Sequence, residues 1–516
     1  MNFGRFLARR SLLTGDRTAV VDGALTLTFR ELNARANATA SALLRTRHRK
    51  GDRVAVLCSN CHEFLEIYFA TAKLGLVMVP LNYRLSIQEL AAILEDCSPR
   101  SFVFSSDLRD AASALHSRTA GVETWWELGR GADAPSLEGA ILSEPTSEPA
   151  TEWDVSAEDP HLIMYTSGTT GRAKGAVYTH SLTLWHTFNM LERLTIHPED
   201  RELVFAPLFH CSTINNIAIP TFYMGGALVL QKKFEPQEAL ALIEKERVSH
   251  TVAVPTLFAM MAEQREFERT NLKSLRFFVV GGAPCPVELL QIYLDRGVGV
   301  LQGYGLTEAG PVLLLLSSDV ALSKVGSAGK PVFHTETRVV APTGEETNPG
   351  EVGEIIARGP SIIREYWHLP EETAKALQGG WLQTGDMARV DEEGYVYIVE
   401  RKKDMYISGG ENVYPVEIER VLNTHPKIAV SAVIGVPDKK WAEVGKAIVE
   451  LKPGEQMDAA DVLSYCQGKL AKYKVPKYVT FVPSLPRNAL GKLQKGLLRR
   501  DYGTAGMAER LEEELS

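Results

Sequence analysis

The chain has 516 residues, with 56 Lys+Arg set against 64 Asp+Glu for a formal net charge of −8. That negative excess argues against non-specific nucleic-acid binding, and 45% hydrophobic and 23% charged residues, with 41 Gly and 26 Pro spread along the length, exclude disordered, collagenous and coiled-coil classes. The longest bulky apolar runs, Leu74–Leu81 and Val312–Leu316, fall far short of the roughly 20 residues needed to cross a bilayer.

Length predicts about two to four domains, each large enough to bury its own core. Residues 1–15 carry Arg5, Arg9 and Arg10, but Leu7-Ala8 and Leu12-Leu13 are too brief for a secretory core, so the segment reads as a first surface helix. Strand Val54–Leu57, helix Glu63–Leu74 and strand Val77–Pro80 come next. Ser86-x-x-Glu89 is a capping box opening another helix, and Phe102–Ser105 is a strand. The alternation continues through strands Leu162–Thr166 and Leu203–Ala206, helix Pro236–Arg247, and strands Thr251–Val254 and Arg276–Gly281. Helix Val287–Asp295 and strand Val298–Gln302 complete it. Such alternation predicts an α/β fold with doubly wound, mostly parallel sheets.

From about Gly329 the pattern changes. Thr335–Val340 and Val352–Arg358 alternate polar and apolar around Thr343-Gly344, as Met387–Val390 and Tyr395–Val399 do around Asp391–Gly394. A small antiparallel barrel or sheet is expected over about 329–400. Beyond Arg401-Lys402-Lys403-Asp404 a compact α+β unit is expected, with helix Val416–Asn423, strands Val430–Val436 and Ala447–Leu451, helix Ala459–Leu470 and a charged helical tail after Tyr502. The expected organisation is a large domain over 1–402 and a smaller, mobile α+β domain over 403–516. The six cysteines (Cys58, Cys61, Cys97, Cys211, Cys285, Cys466) are scattered, which suits a reducing compartment and a cytoplasmic location. Cys58-Ser-Asn-Cys61 has the spacing of a redox dithiol, but no second pair accompanies it for zinc.

Ligands of open α/β sheets collect beyond the carboxyl ends of strands. There, Leu162–Thr166 runs into Tyr165-Thr166-Ser167-Gly168-Thr169-Thr170-Gly171-Arg172-Ala173-Lys174-Gly175. Glycines let backbone N–H groups close around phosphate oxygens, hydroxyls add donors, and Lys174 adds a compact positive charge. The segment is not a Walker A loop, since Lys174 lies between Ala173 and Gly175 rather than before Ser or Thr. The bland reading of it is a flexible surface loop. Gly281-Gly282-Ala283 ends a second strand and Gln302-Gly303-Tyr304-Gly305-Leu306-Thr307-Glu308 a third. Small residues facing an aromatic ring suit a purine, and Glu308 suits Mg²⁺ on phosphate oxygens. Taken singly, these would be a tight turn and a half-buried core ring.

With these segments, the chain resembles the adenylate-forming superfamily, in its branch of acyl- and aryl-CoA synthetases. The resemblance also rests on Leu208-Phe209-His210, Thr384-Gly385-Asp386, Glu400–Asp404, Ser408–Asn412 through Glu417-Ile418-Glu419, and Pro486–Lys492, all in the family's order. It implies that Thr166, Ser167, Gly168, Thr169, Thr170 and Lys174 hold the β- and γ-phosphates of ATP. Gly281, Gly282, Ala283, Tyr304 and Gly305 would enclose adenine, Thr307 would touch the α-phosphate and Glu308 would bind Mg²⁺. Asp386 would take the ribose hydroxyls with Arg401 beside it, and Lys492 would reach the carboxylate and α-phosphate. The resemblance also implies a hinge at Lys403, Gly409 and Gly410 bordering a pantetheine tunnel, and Trp441 and Tyr473 near the CoA nucleotide. Trp441 reads equally well as a core ring of the small domain. Ala442 follows it where the family usually has Gly, and Glu365 stands where many relatives have Gly before Tyr366.

The implied activity is ATP-dependent conversion of a carboxylic acid to an acyl-adenylate with release of pyrophosphate, then transfer to coenzyme A. Partners would be a small-molecule carboxylic acid, ATP and CoA. Amino-acid-activating relatives carry Asp where His210 stands, so an α-amino acid is disfavoured. His210, Cys211, Thr213, Asn215, Gly303 and Val312 would line the acid pocket. Branched Thr213 and the run Val312–Leu316 suggest a short or flat one, for an aromatic or medium-chain acid. His210 is also expected among the catalytic residues with Lys492, Thr307 and Glu308, as a gate to the thiol tunnel, or could instead be a structural histidine. An amide synthetase or carrier-protein ligase would share the first half-reaction, and a non-catalytic nucleotide-binding protein is the alternative from another class.

Overall fold

A computed structural model describes the whole chain except residues 1, 120, 130–134, 167–172, 284, 402–403, 409–410, 439–440, 468, 471, 488–492 and 504–516; at 400–401, 407, 411–412 and 442 it describes backbone only. The chain forms two compact units. One comprises Met1–Thr337 and Ala357–Gln383, the other Arg338–Ile356 and Thr384–Ser516.

The first unit is built on two sheets. In the nine-stranded sheet, strands Gly299–Tyr304, Phe277–Gly281, His250–Ala253, Arg201–Val204, Ala227–Leu230 and Thr18–Asp22 run parallel in that spatial order. Antiparallel strands flank them: Leu314–Leu316 and Lys330–Pro331 at one margin, Leu25–Thr28 at the other. The central strands read as continuous apolar runs because both faces are covered, so neither face needs a polar alternation. The six-stranded sheet orders Thr124–Glu127, Ser101–Phe104, Arg53–Leu57, Val77–Pro80, Pro160–Thr166 and Lys174–Thr179, parallel except for the last pair. Strand periodicity divides its side chains. Val54, Val56, Met78 and Met164 share a core with Val20, Val204 and Leu228 of the nine-stranded sheet. Ala55, Leu57, Val77, Val79 and Ile163 face the opposite core under helix Ile87–Cys97. Ser86 forms the expected capping box, accepting from Glu89 N while the Glu89 carboxylate accepts from Ser86 N.

Departures from the sequence reading have local causes. The first helix, Arg5–Thr14, is indeed superficial at Leu12 and Leu13 but buries Leu7 completely. After the Gly/Ser/Thr-rich loop the chain returns as an antiparallel strand, Lys174–Thr179, before helix His180–Arg193 begins at a Thr179 N-cap.

The second unit contains most of a five-stranded sheet that includes Gly353–Arg358, Trp381–Val390 and Val396–Arg401. Within it Asp386 pairs antiparallel with Arg401 across the turn whose N–H groups, from Glu393 and Tyr395, donate to Asp391 Oδ1. Gly344, at φ +87°, makes the expected turn between Glu336–Val340 and Gly353–Arg358. The α+β portion centres on the long hairpin Ile428–Asp438 and Ala442–Leu451. Val433, Ala447 and Val449 face helices Pro415–Leu422 and Ala459–Cys466, while Ala432, Ile434 and Ile448 face helix Lys495–Tyr502. Helix Ala459–Cys466 stops short of the expected Leu470, because Gln467 is already extended. The expected tail helix after Tyr502 lies almost wholly outside the described residues.

Candidate functional site

In the first unit the parallel strands Phe277–Gly281 and Gly299–Tyr304 end side by side, with Gly281 opposite Gly303. A Cβ on Gly281 would lie 2.8 Å from Gly303 O, and Gly282 sits at φ +77°, so both positions demand glycine. The pair leaves a bare backbone ledge beside half-buried Tyr304. The chain then folds tightly on itself: Leu313 N donates to Tyr304 O at 2.9 Å, and a Cβ on Gly305 would fall 2.0 Å from Pro311 O.

This tight loop presents Thr307 and Glu308 on a single 3₁₀ turn, Thr307–Ala309. Tyr178 Oη donates to Thr307 O at 2.5 Å and Cys211 Sγ donates to Thr307 Oγ1 at 3.4 Å. The backbone oxygen of Glu308 accepts from Ile363 N at 2.9 Å and its Oε1 from Tyr366 Oη at 2.7 Å. Burial and then the neighbouring Glu308 carboxylate raise the Tyr366 hydroxyl well above the usual tyrosine range, which keeps it a donor. The Tyr366 ring also lies 5.4 Å from Lys174 Nζ, and Lys174 pairs with Glu372 Oε2 at 2.5 Å. Lys174 and then Lys375 hold the Glu372 carboxyl down to about 2. Thr166 stands opposite Lys174 in the hairpin register. Residues far apart in sequence thus bring a lysine and a carboxylate to the two sides of one tyrosine. Phosphate suits the first, and a hard cation on phosphate oxygens suits the second.

Of the expected acid-pocket residues, His210 caps the short helical stretch that begins at Cys211. Its ring lies 4.4 Å from that of Phe209, and its Nε2 is buried without a hydrogen bond. Burial, reinforced by Arg84, pushes His210 down to about 3, so the imidazole is neutral. Burial holds the Cys211 thiol up at about 11. Thr213 and Asn215 are buried, Asn215 Oδ1 accepting from Tyr68 Oη at 3.2 Å, and Val312 packs with Ile217 and Val279. A Cβ on Gly303 would lie 3.6 Å from the side chains of Leu315 and Val279 and 3.9 Å from Val280 O, ordinary contact distances.

In the second unit Asp386 is 6% exposed. Its N–H donates to Thr384 Oγ1 at 3.1 Å, and Thr384 Oγ1 donates to Ile355 O at 2.6 Å. Gly385 takes φ +71° with its N–H on Glu354 Oε1. Trp441 and Tyr473 are 39% and 40% exposed, so Trp441 is not a core ring. Lys477 approaches the Trp441 ring at 5.9 Å and Lys474 the Tyr473 ring at 5.8 Å. Ser167, Gly168, Thr169, Thr170, Lys403, Gly409, Gly410 and Lys492 lie outside the described residues, and Arg401 is described by its backbone alone.

Sequence reading missed Tyr366, Glu372 and Tyr178. Tyr366 is 58 positions from Glu308, and Glu372 is 198 from Lys174, so only folding reveals them. Glu365 has a plain explanation: its backbone oxygen accepts from Val177 N at 3.2 Å while its side chain is exposed, so no glycine is needed. The Cys58 and Cys61 thiols are unbridged, and the Cys58 side chain, ahead of burial, pushes Cys61 well above the usual thiol range. Such thiols are poor redox nucleophiles.

The AMP-binding enzyme family matches residues 7–367, and the AMP-binding enzyme C-terminal domain matches residues 417–492. The feruloyl-CoA synthase of Amycolatopsis sp is 41% identical over 501 residues, covering 97% of this chain and 99% of that protein. The long-chain-fatty-acid–CoA ligase FadD13 of Mycobacterium tuberculosis is 38% identical over 506 residues, covering 97% and 98%. Among solved structures, ATP-bound MatB from Rhodopseudomonas palustris superposes with a TM-score of 0.88 at 33% identity, covering 98% of this chain and 99% of that one.

Proposed function

Because the chain belongs to the AMP-binding enzyme family and is an AMP-forming acid–thiol ligase, we propose that its acid is an aromatic or medium-chain carboxylic acid and that the residues around Lys174, Tyr304 and Glu308 hold its nucleotide. The enzyme activates the acid with ATP to an acyl-adenylate, releases pyrophosphate, and transfers the acyl group to coenzyme A. The carboxylate and the triphosphate are both anionic, so positioned cations must offset their repulsion as they meet.

The observation that carries the nucleotide assignment is the grouping of Lys174 and Glu308 about Tyr366. Lys174, with Thr166 and residues 167–170, receives the β- and γ-phosphates. Gly281, Gly282, Ala283, Tyr304 and Gly305 take adenine, and Thr307 takes the α-phosphate. Glu308 fits Mg²⁺, since a carboxylate beside phosphate oxygens is the hard donor set that ion takes; when bound, it supplies charge neutralisation on those oxygens. Asp386 and Arg401 take the ribose, and Lys492 the carboxylate and α-phosphate. Gly409 and Gly410 line the pantetheine path, and Trp441 and Tyr473 meet the CoA nucleotide. In this reading 1–402 and 403–516 act as separate domains hinged at Lys403.

Support for the acid class comes from His210, whose imidazole, neutral here, has no negatively charged form to pair with an ammonium group. Thr213 and Val312, the other residues on which the short or flat pocket rests, are buried. Pyrophosphate release across aryl, medium-chain, long-chain and α-amino acids, with and without CoA, tests this. The highest turnover is expected with an aryl or medium-chain acid, with thioester formed only when CoA is present. Highest turnover with a long-chain or amino acid would overturn the acid assignment.

A further inference from the structure

Tyr366 stands between two groups that the nucleotide reading uses, and it is held there by main-chain bonds. Residues 365–367 lie along strand Lys174–Thr179: Val177 N donates to Glu365 O, Trp367 N donates to Gly175 O at 2.7 Å, and Tyr366 bridges Ala176. Tyr366 N donates to Thr373 Oγ1 at 2.9 Å, and its side chain packs in the core shared by the two sheets. Its backbone is thus anchored to the six-stranded sheet, on the strand that opens with Lys174. Its hydroxyl instead reaches the Thr307–Ala309 turn that follows the nine-stranded sheet. There it donates to Glu308 Oε1 at 2.7 Å, and Glu308 Oε2 has no hydrogen bond among the described residues.

A carboxylate on a short turn can rotate about its side-chain torsions, and each rotation moves the oxygen offered to a cation. A charge-assisted hydrogen bond to one oxygen removes that freedom and aims the other. We propose that Tyr366 is a positioning residue that orients the Glu308 carboxylate for Mg²⁺ and sets its geometry relative to Lys174, so that metal and phosphate are gripped as one unit. This rests on the reading of Lys174 and Glu308 as nucleotide ligands. Tyr366 is assigned no contact of its own with metal or phosphate.

Tyr366→Phe keeps the ring beside Lys174 and removes only the hydroxyl. Calorimetric titration of the full chain with ATP, in EDTA and in Mg²⁺, separates its two contacts. Metal-free ATP affinity is expected to match wild type, while the affinity gained on adding Mg²⁺ falls about tenfold, the usual size of a lost outer-shell partner. Tyr366→Leu, which removes the ring as well, is expected to weaken metal-free ATP binding too. Thermal unfolding of both variants checks that the fold is intact. A Tyr366→Phe protein that keeps the full Mg²⁺ gain, or loses affinity equally with and without metal, overturns the proposal. A wild-type chain that does not bind ATP overturns the nucleotide reading itself, and is distinguishable because no variant is needed to see it.

Discussion

The Thr307–Glu308 turn of the first unit and the exposed rings of the second are held in different ways. Around Thr307 and Glu308, functional groups are each held by a named partner: Tyr178, Cys211 and Tyr366 fix one turn, and Glu372 steadies Lys174. Trp441 and Tyr473 stand well exposed, approached by Lys477 and Lys474, which are paired with Asp438 and Glu417 while the rings themselves remain open to solvent. Preorganisation is valuable where charge must be stabilised as it develops, because dipoles already aligned need no reorganisation during reaction. A large, flexible ligand met by stacking needs only exposed rings.

Three measurements probe that contrast, the largest effect first. Lys492→Ala is expected to slow adenylation by roughly 10²–10³-fold, the scale of losing one electrostatic stabiliser, while pre-formed acyl-AMP still reacts with CoA at the wild-type rate. Pyrophosphate exchange and single-turnover thioester formation measure the two halves, and equal loss in both would remove Lys492 from its assigned role.

The second measurement concerns the acid sensitivity of the first unit. Burial holds His186, His210 and His250 down at about 3 and His180 at about 4. Below the usual histidine pKa of about 6.5 the unfolded chain binds protons that these buried rings refuse. Stability therefore falls as pH drops from about 6.5 towards 4. His186 has neither ring nitrogen hydrogen-bonded. His186→Leu should flatten the slope of urea-unfolding free energy against pH by up to one proton, ~1.4 kcal/mol per pH unit. An unchanged slope would show that His186 does not contribute.

The smallest effect is expected at the exposed rings. Trp441→Ala should raise KM for CoA about fivefold, the size of a ~1 kcal/mol stacking contact, and leave pyrophosphate exchange untouched. A fall in exchange would place Trp441 in the first half-reaction and erase the contrast.

Much of this was legible in the linear chain. Apolar runs marked the strands and the glycines at their ends marked the turns that follow, and the Ser86 box marked a helix start, because these signals depend on neighbours within a few residues. The antiparallel return of Lys174–Thr179 was not legible, since a short run of β-branched and aromatic residues does not declare its partner. Tyr366 gave no signal either. Its hydroxyl matters only because Glu308 comes within 2.7 Å of it after two sheets have packed.

Local chemistry alone determined the fold class and the strand-end loops, since turn geometry, hydrophobic period and residue type act at short range; the acid-activating character came from the resemblance of the ordered motifs to the adenylate-forming superfamily. The tertiary structure decided which side chains hold Thr307, Glu308 and Lys174 in place, and that His210 is neutral. Those properties come from long-range packing, which removes water and brings distant residues within hydrogen-bonding reach.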